Sequence, residues 1–292
     1  GQIWYNTTSQ SLKGLEFAAA AWSTGGNMGT ARYGAAGAGT QTAGLVFGGV
    51  PATAATEEYN GTAWTAGGAL GTARYFLGGA GTQTAALAFG GFPPAYNQTF
   101  EYDGSSWTAG GNLTTGRYNL AGAGTQTAGL AFGGDTDPGY SALTEEYNGT
   151  AWTGGGNLGT GRYELAGAGL QTAGLAFGGG TAGGPTAVTE EYDGSSWTAG
   201  GSLNTARRQL AGAGTQTAGI AFSGENTPTS EEYNGSSWTN TSSMSVARAR
   251  LSGCGTQTAG LAFGGEPPAS PSTNATEEFT GAAPTTVTIS GS

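Results

Sequence analysis

Six arginines stand ten residues after six tryptophans: Arg32, Arg74, Arg117, Arg162, Arg207 and Arg248 follow Trp22, Trp64, Trp107, Trp152, Trp197 and Trp238. Six residues before each tryptophan is a glutamate: Glu16, Glu58, Glu101, Glu146, Glu191 and Glu232. Guanidinium and carboxylate at fixed phase can bind a ligand or neutralise each other. These arginines are six of only nine Lys and Arg, and every repeat carries both partners, so the pattern predicts a ring of structural ion pairs between repeating units. Little remains for catalysis. Histidine is absent and Cys254 is the only cysteine, which removes Ser-His-Asp and Cys-His mechanisms, the usual zinc sites and disulfides within the chain. Adjacent glutamates such as Glu57 and Glu58 are no glycosidase couple, because neighbours on a strand point to opposite faces. Asp135 and Asp137, beside Pro138, fall short of the oxygen count calcium requires. Cys254 replaces the alanine of its sister repeats (Ala38, Ala80, Ala123, Ala168, Ala213) and reads as a small core residue. The expectation is a protein with no catalytic residues, no metal and no cofactor.

Binding chemistry is suggested elsewhere, where the repeats differ. Twelve residues after each tryptophan come Gly34, Phe76, Asn119, Glu164, Gln209 and Arg250, six different residues in an otherwise nearly constant block. The position before holds Tyr33, Tyr75, Tyr118, Tyr163, Arg208 and Ala249. Aromatic rings interleaved with mixed polar groups suit a glycan or a protein surface. The competing reading is a tolerant, solvent-facing position. The candidate ligand-binding set is therefore Tyr33, Tyr75, Phe76, Tyr118, Asn119, Tyr163, Glu164, Arg208, Gln209 and Arg250.

The elements that must position these residues follow from the repeat. The tryptophans are 42, 43, 45, 45 and 41 residues apart. A glutamine follows each by nineteen residues (Gln41, Gln83, Gln126, Gln171, Gln216, Gln257), and a Gly-Gly pair begins at twenty-six, with Ser223-Gly224 the one departure. Within a unit, Leu120 to Gly124 and Ala128 to Phe132 flank a Thr-Gln-Thr turn as a hairpin. A third strand carries Glu-Glu-Tyr and a fourth carries the tryptophan. The turn between them is Asn-Gly or Asp-Gly (Asn60, Asp103, Asn148, Asp193, Asn234), the pairing that supplies positive φ at both turn residues. Asn60, Asn148 and Asn234 also match glycosylation acceptors, but the aspartates in sister units mark the turn as the retained feature. Four antiparallel strands per unit make one propeller blade. All length variation falls in 50–56, 92–99, 135–144, 180–189, 225–230 and 266–275, which the topology gathers on one face beside the channel mouth.

At Gly133-Gly134, Glu146-Tyr147, Trp152 and Arg162 the sequence resembles the kelch family, and the resemblance runs from Glu16 to Phe279. It implies an all-β, six-bladed propeller of four-stranded antiparallel blades, the last closed by both termini. The array is expected to start at a third strand, Leu15 to Phe17. Glu277 to Phe279 and Thr285 to Ile289 offer a surplus pair, so the closing strand stays open. The organisation reads as an N-terminal hairpin and closing strand in 1–17, propeller in 18–280, and a tail or closing strand in 281–292. Gln2 to Asn6 should pair with Leu12 to Phe17.

A net charge of −10 with scattered cations argues against nucleic acid, and no apolar run suits a membrane helix. Trp4-Tyr5-Asn6-Thr7-Thr8 resembles short β-segments of bacteriophage tail-fibre and other virion proteins. That resemblance implies a virion or extracellular component whose partners are other virion proteins and a host-surface glycan or protein. A secreted bacterial lectin or adhesin would use the same face. A kelch-fold copper oxidase would need histidines this chain lacks.

Overall fold

The computed structural model describes residues 3–8, 11–93, 96–225 and 227–289. Gln2, the loop residues 94, 95 and 226, and positions 290–292 of the tail lie outside them. The described residues form six four-stranded antiparallel sheets arranged as a propeller. Blade 1 consists of Ala36–Thr40, Ala43–Phe47, Thr56–Tyr59 and Trp64–Ala66, paired in chain order. Blades 2 to 5 repeat this pattern over 78–109, 121–154, 166–199 and 211–241.

Small residues set the radius of the ring. The first strands read Ala-Gly-Ala-Gly-Thr or close variants and lie innermost, where backbones of successive blades nearly touch. A Cβ on Gly122 would stand 2.6 Å from the Gly79 carbonyl of the preceding blade, so glycine is required. The second strand carries the core, with Leu45, Val46 and Phe47 wholly buried.

Three side-chain links recur between blades. Each tryptophan packs on a phenylalanine of the preceding blade, as Trp107 does on Phe47 at 4.8 Å between ring centroids. Its indole N–H donates to a hydroxyl there, Thr56 in this case, at 3.0 Å, and Ser230 for Trp22. Each repeat glutamine donates from Nε2 to two carbonyls of the preceding blade, as Gln83 does to Gly44 and Tyr59 at 2.9 and 2.7 Å. The Tyr102 hydroxyl donates to Glu58 of the preceding blade at 2.6 Å, and Tyr59, Tyr147, Tyr192 and Tyr233 do the same to Glu278, Glu101, Glu146 and Glu191.

The arginine pairing differs from the expectation. Four of the repeat glutamates, Glu58, Glu101, Glu146 and Glu191, serve tyrosines, and the arginines pair one residue earlier, within their own blade: Arg117 with Glu145 at 2.9 Å, Arg162 with Glu190 at 2.7 Å, Arg207 with Glu231 at 3.1 Å and Arg248 with Glu277 at 2.8 Å. Arg32 pairs with Glu57. Adjacent strand residues face opposite ways, so one glutamate meets the arginine and the next meets the neighbouring blade. Arg74 has Phe100 in place of the first glutamate; its guanidinium lies 4.6 Å from that ring and donates to Gln98.

Closure also departs from the reading of the first strand. Leu15 to Phe17 is no blade strand. Blade 6 takes Ser252–Thr256, Ala259–Phe263 and Thr276–Thr280 from the C-terminal part, and Ala21–Thr24, with Trp22, as its fourth strand. Glu277 supplies the carboxylate Arg248 needs; the corresponding N-terminal residue, Leu15, has none. Ser11–Ala18 instead lies in a separate sheet between Ile3–Asn6 and Ala283–Ile289, so the expected hairpin forms and the late segment clasps it.

Candidate functional site

Each first strand is entered through the arginine, the variable pair and a leucine or alanine. The residue before the variable one makes an antiparallel bridge to the start of its blade's long loop in five blades: Tyr33 to Val50, Tyr75 to Phe92, Tyr118 to Asp135, Tyr163 to Gly180 and Ala249 to Glu266. In the remaining blade the Glu225 N–H donates to the Arg208 carbonyl at 3.1 Å. The variable loops are thereby tied to the mouth of the channel.

At the mouth, the six variable residues form a closed ring of backbone hydrogen bonds. The N–H of Phe76 donates to the Gly34 carbonyl, Asn119 to Phe76, Glu164 to Asn119, Gln209 to Glu164, Arg250 to Gln209 and Gly34 to Arg250, at 2.7–2.9 Å. All six have φ between 50° and 60°, the left-handed region. That conformation turns the N–H toward one neighbouring blade and the C=O toward the other. Glycine adopts it freely and asparagine tolerates it, whereas a larger residue is strained by ~1–3 kcal/mol. Four of the six positions bear that strain in Phe76, Glu164, Gln209 and Arg250.

Their side chains converge on a cavity of about 90 Å³. Glu164 is the centre of the polar half, its side chain 6 % exposed. Its Oε1 accepts from Arg250 Nε at 3.0 Å and from Gln209 Nε2 at 2.8 Å. Its Oε2 is buried without a hydrogen bond; Arg208 Nε stands 3.7 Å away, close enough for attraction only. Arg250 also pairs with Glu266 at 2.7 Å and lies 5.6 Å from the Phe76 ring, while Arg208 pairs with Glu225 at 2.8 Å. Asn119 donates to Asp135 at 2.7 Å. Burial raises the Asp135 carboxyl above its ordinary range, Asn119 opposes the shift, and the Glu164 charge adds to it.

The other half of the face is aromatic. Tyr75, Phe76, Phe92, Tyr96 and Tyr118 line a cavity of about 220 Å³. Phe92 and Tyr96 are stacked at 5.4 Å, and Tyr96 lies 5.5 Å from Tyr118. Tyr140 stacks on Tyr163 at 4.3 Å, and Arg208 donates to the Tyr163 hydroxyl. Tyr33 stands against Phe76 at 6.3 Å.

All ten candidate residues therefore lie on one face, but in two groups: Tyr75, Phe76 and Tyr118 on the aromatic side, Glu164, Arg208, Gln209 and Arg250 on the charged side. Asn119 borders both, Tyr163 meets Arg208, and Tyr33 flanks the ring. The sequence reading missed Phe92, Tyr96 and Tyr140. They lie in loops without repeat phase, and the only available signal was aromatic residues in otherwise small-residue loops.

A solved structure titled "Structure of YjhT" matches with a TM-score of 0.74 at 13 % sequence identity, over 89 % of this chain and 99 % of that one. The likeness is one of fold. No protein-family model and no curated protein matches the chain.

Proposed function

We propose that this is a non-enzymatic, kelch-type binding propeller of a phage virion that recognises a host-surface glycan through the channel mouth and the loops beside it. The observation that carries the reading is the ring itself. Four bulky or charged residues occupy left-handed positions that glycine would fill at lower cost, and their side chains converge on the mouth. Strain kept at converging side chains is a mark of function when the surrounding structure over-determines it. Aromatic rings beside hydrogen-bonded polar groups match the two surfaces of a sugar, one apolar and one hydroxylated. The virion assignment draws on the opening segment and the near-identical repeats, and makes other virion proteins the second class of partner.

The test is a glycan-array screen of the purified chain beside one carrying Phe76→Ala, Asn119→Ala and Arg250→Ala. The reading expects glycan binding that the triple variant loses. Absence of glycan binding by folded protein would overturn it and leave a protein ligand or an architectural role.

A further inference from the structure

The geometry points to the aromatic cavity beside blades 2 and 3 as the subsite for a single uncharged sugar ring. This rests on the glycan-binding reading above and adds to it the place and the charge class. The cavity measures about 220 Å³, below the ~300–1,000 Å³ of pockets that enclose drug-sized ligands. It fits one ring and not a chain.

Its lining is specific in chemistry. The five lining side chains are all aromatic, and Tyr75, Tyr96 and Tyr118 add phenolic hydroxyls to apolar faces. A pyranose offers the complement, C–H bonds on one face and hydroxyls at the rim. Phe76 lines both this cavity and the mouth, so a ring seated here would direct its next residue toward Asn119 and Glu164.

Charge decides against an acidic sugar. The two arginines of the mouth are already held by carboxylates, Arg208 by Glu225 and Arg250 by Glu164 and Glu266. On the aromatic side the Asp135 carboxylate acts on Tyr118, to which it is bridged through the backbone, while the Arg250 guanidinium that lies 5.6 Å from the Phe76 ring is already paired. With four carboxylates against two guanidinium groups around the mouth, and a chain charge of −10, a sugar carboxylate would meet repulsion.

Phe92 and Tyr96 can be truncated without losing their backbone roles. The Phe92 N–H and C=O exchange hydrogen bonds with Tyr75, and the Tyr96 carbonyl accepts from the Arg117 N–H. The experiment is ligand-observed NMR saturation transfer with methyl glycosides of glucose, galactose and mannose as probes, glucuronate and a methyl sialoside as acidic controls, and thermal unfolding of every variant as the folding check. At least one neutral glycoside is expected to receive saturation while the acidic probes do not. Phe92→Ala and Tyr96→Ala are each expected to raise its dissociation constant about tenfold, with Glu164→Gln having a smaller effect. Binding confined to the acidic probes would overturn the subsite and its charge class but leave glycan recognition standing. So would neutral binding that survives Tyr96→Ala and disappears in Glu164→Gln, which would move the ring to the mouth. No transfer to any probe, with array binding also absent, would overturn both readings.

Discussion

Arg117 and Arg74 occupy the same position in successive blades and balance their charge differently. Arg117 pairs with Glu145, both buried, whereas Arg74 rests on Phe100 and Gln98 with no carboxylate. Arg117→Met would leave Glu145 buried and unpaired, a loss of about 3–5 kcal/mol. Arg74→Met strands no charge and should cost about 2 kcal/mol less, since only hydrogen bonds and packing are removed. Urea unfolding of both variants checks this; equal losses would show that the ion pair contributes nothing beyond the carbonyl contacts. The arginines and the variable ring were legible in the sequence because each keeps strict phase with a tryptophan. The arginine's partner was read one residue late, because two adjacent glutamates are indistinguishable until the strand's facing is known. The left-handed backbone of the ring was not legible: Gly34 is its single glycine, and the other residues there do not announce positive φ.

At the scale of the strand and the seam between blades, five interfaces use a tyrosine hydroxyl and one does not. Phe279 occupies the tyrosine position of blade 6, and the facing Glu232 has its carboxyl raised by burial and lowered in turn by a hydrogen bond from Thr241. Thr241 stands three residues after Trp238, where the other repeats have Gly25, Gly67, Gly110, Gly155 and Gly200. A Cβ on Gly200 would come within 2.6 Å of the Tyr233 hydroxyl, so threonine and tyrosine exclude each other and one hydroxyl substitutes for the other. Phe279→Tyr alone should therefore destabilise by about 1–3 kcal/mol through overpacking. Thr241→Gly alone should also destabilise, by about 1–3 kcal/mol, because Glu232 loses its donor. The double variant should recover most of both losses, a coupling measurable in a double-mutant cycle; additive losses would refute the exchange. The blades and their hairpins could be read from the Asn-Gly and Asp-Gly turns, although only the glycine of each takes positive φ and the Asn or Asp side chain holds a four-residue loop, as Asn60 does by accepting from the Thr62 and Ala63 N–H groups; the pairing of Ile3–Asn6 with Ser11–Ala18 could be read from strand pattern. The closing strand could not, because Glu16 and Glu278 both keep the phase and only Glu277 distinguishes the true partner of Arg248.

Across the whole ring, Tyr59, Tyr102, Tyr147, Tyr192 and Tyr233 repeat one contact, and each hydroxyl is pushed up to about 12, first by burial and then by its hydrogen bond to a carboxylate. An unfolded tyrosine ionises near 10.0, so this stabilisation is complete below that pH and is lost as pH rises toward 12. Ionisation of these five tyrosines, read as the tyrosinate absorbance lost when all five are changed to phenylalanine, should accordingly coincide with loss of structure between pH 10 and 12. Full ionisation of these residues in a chain still folded at pH 11 would contradict the burial argument. The shared blade and the clasp of Ser11–Ala18 with Ala283–Ile289 join the two ends of the chain twice, and the first of these gives blade 6 the fourth strand its C-terminal part lacks. On the proposed reading, the mouth keeps its side chains for recognition and not for the fold. The most direct test of that reading is thermal unfolding, with and without a glycan bound by the natural chain, of a variant carrying Phe76→Gly, Glu164→Gly, Gln209→Gly and Arg250→Gly. Relief of left-handed strain should offset the lost contacts to within about 2 kcal/mol, so the melting temperature should stay close to that of the natural chain and show no further rise on adding glycan. A variant that melts far lower, or that the glycan still stabilises, would contradict it.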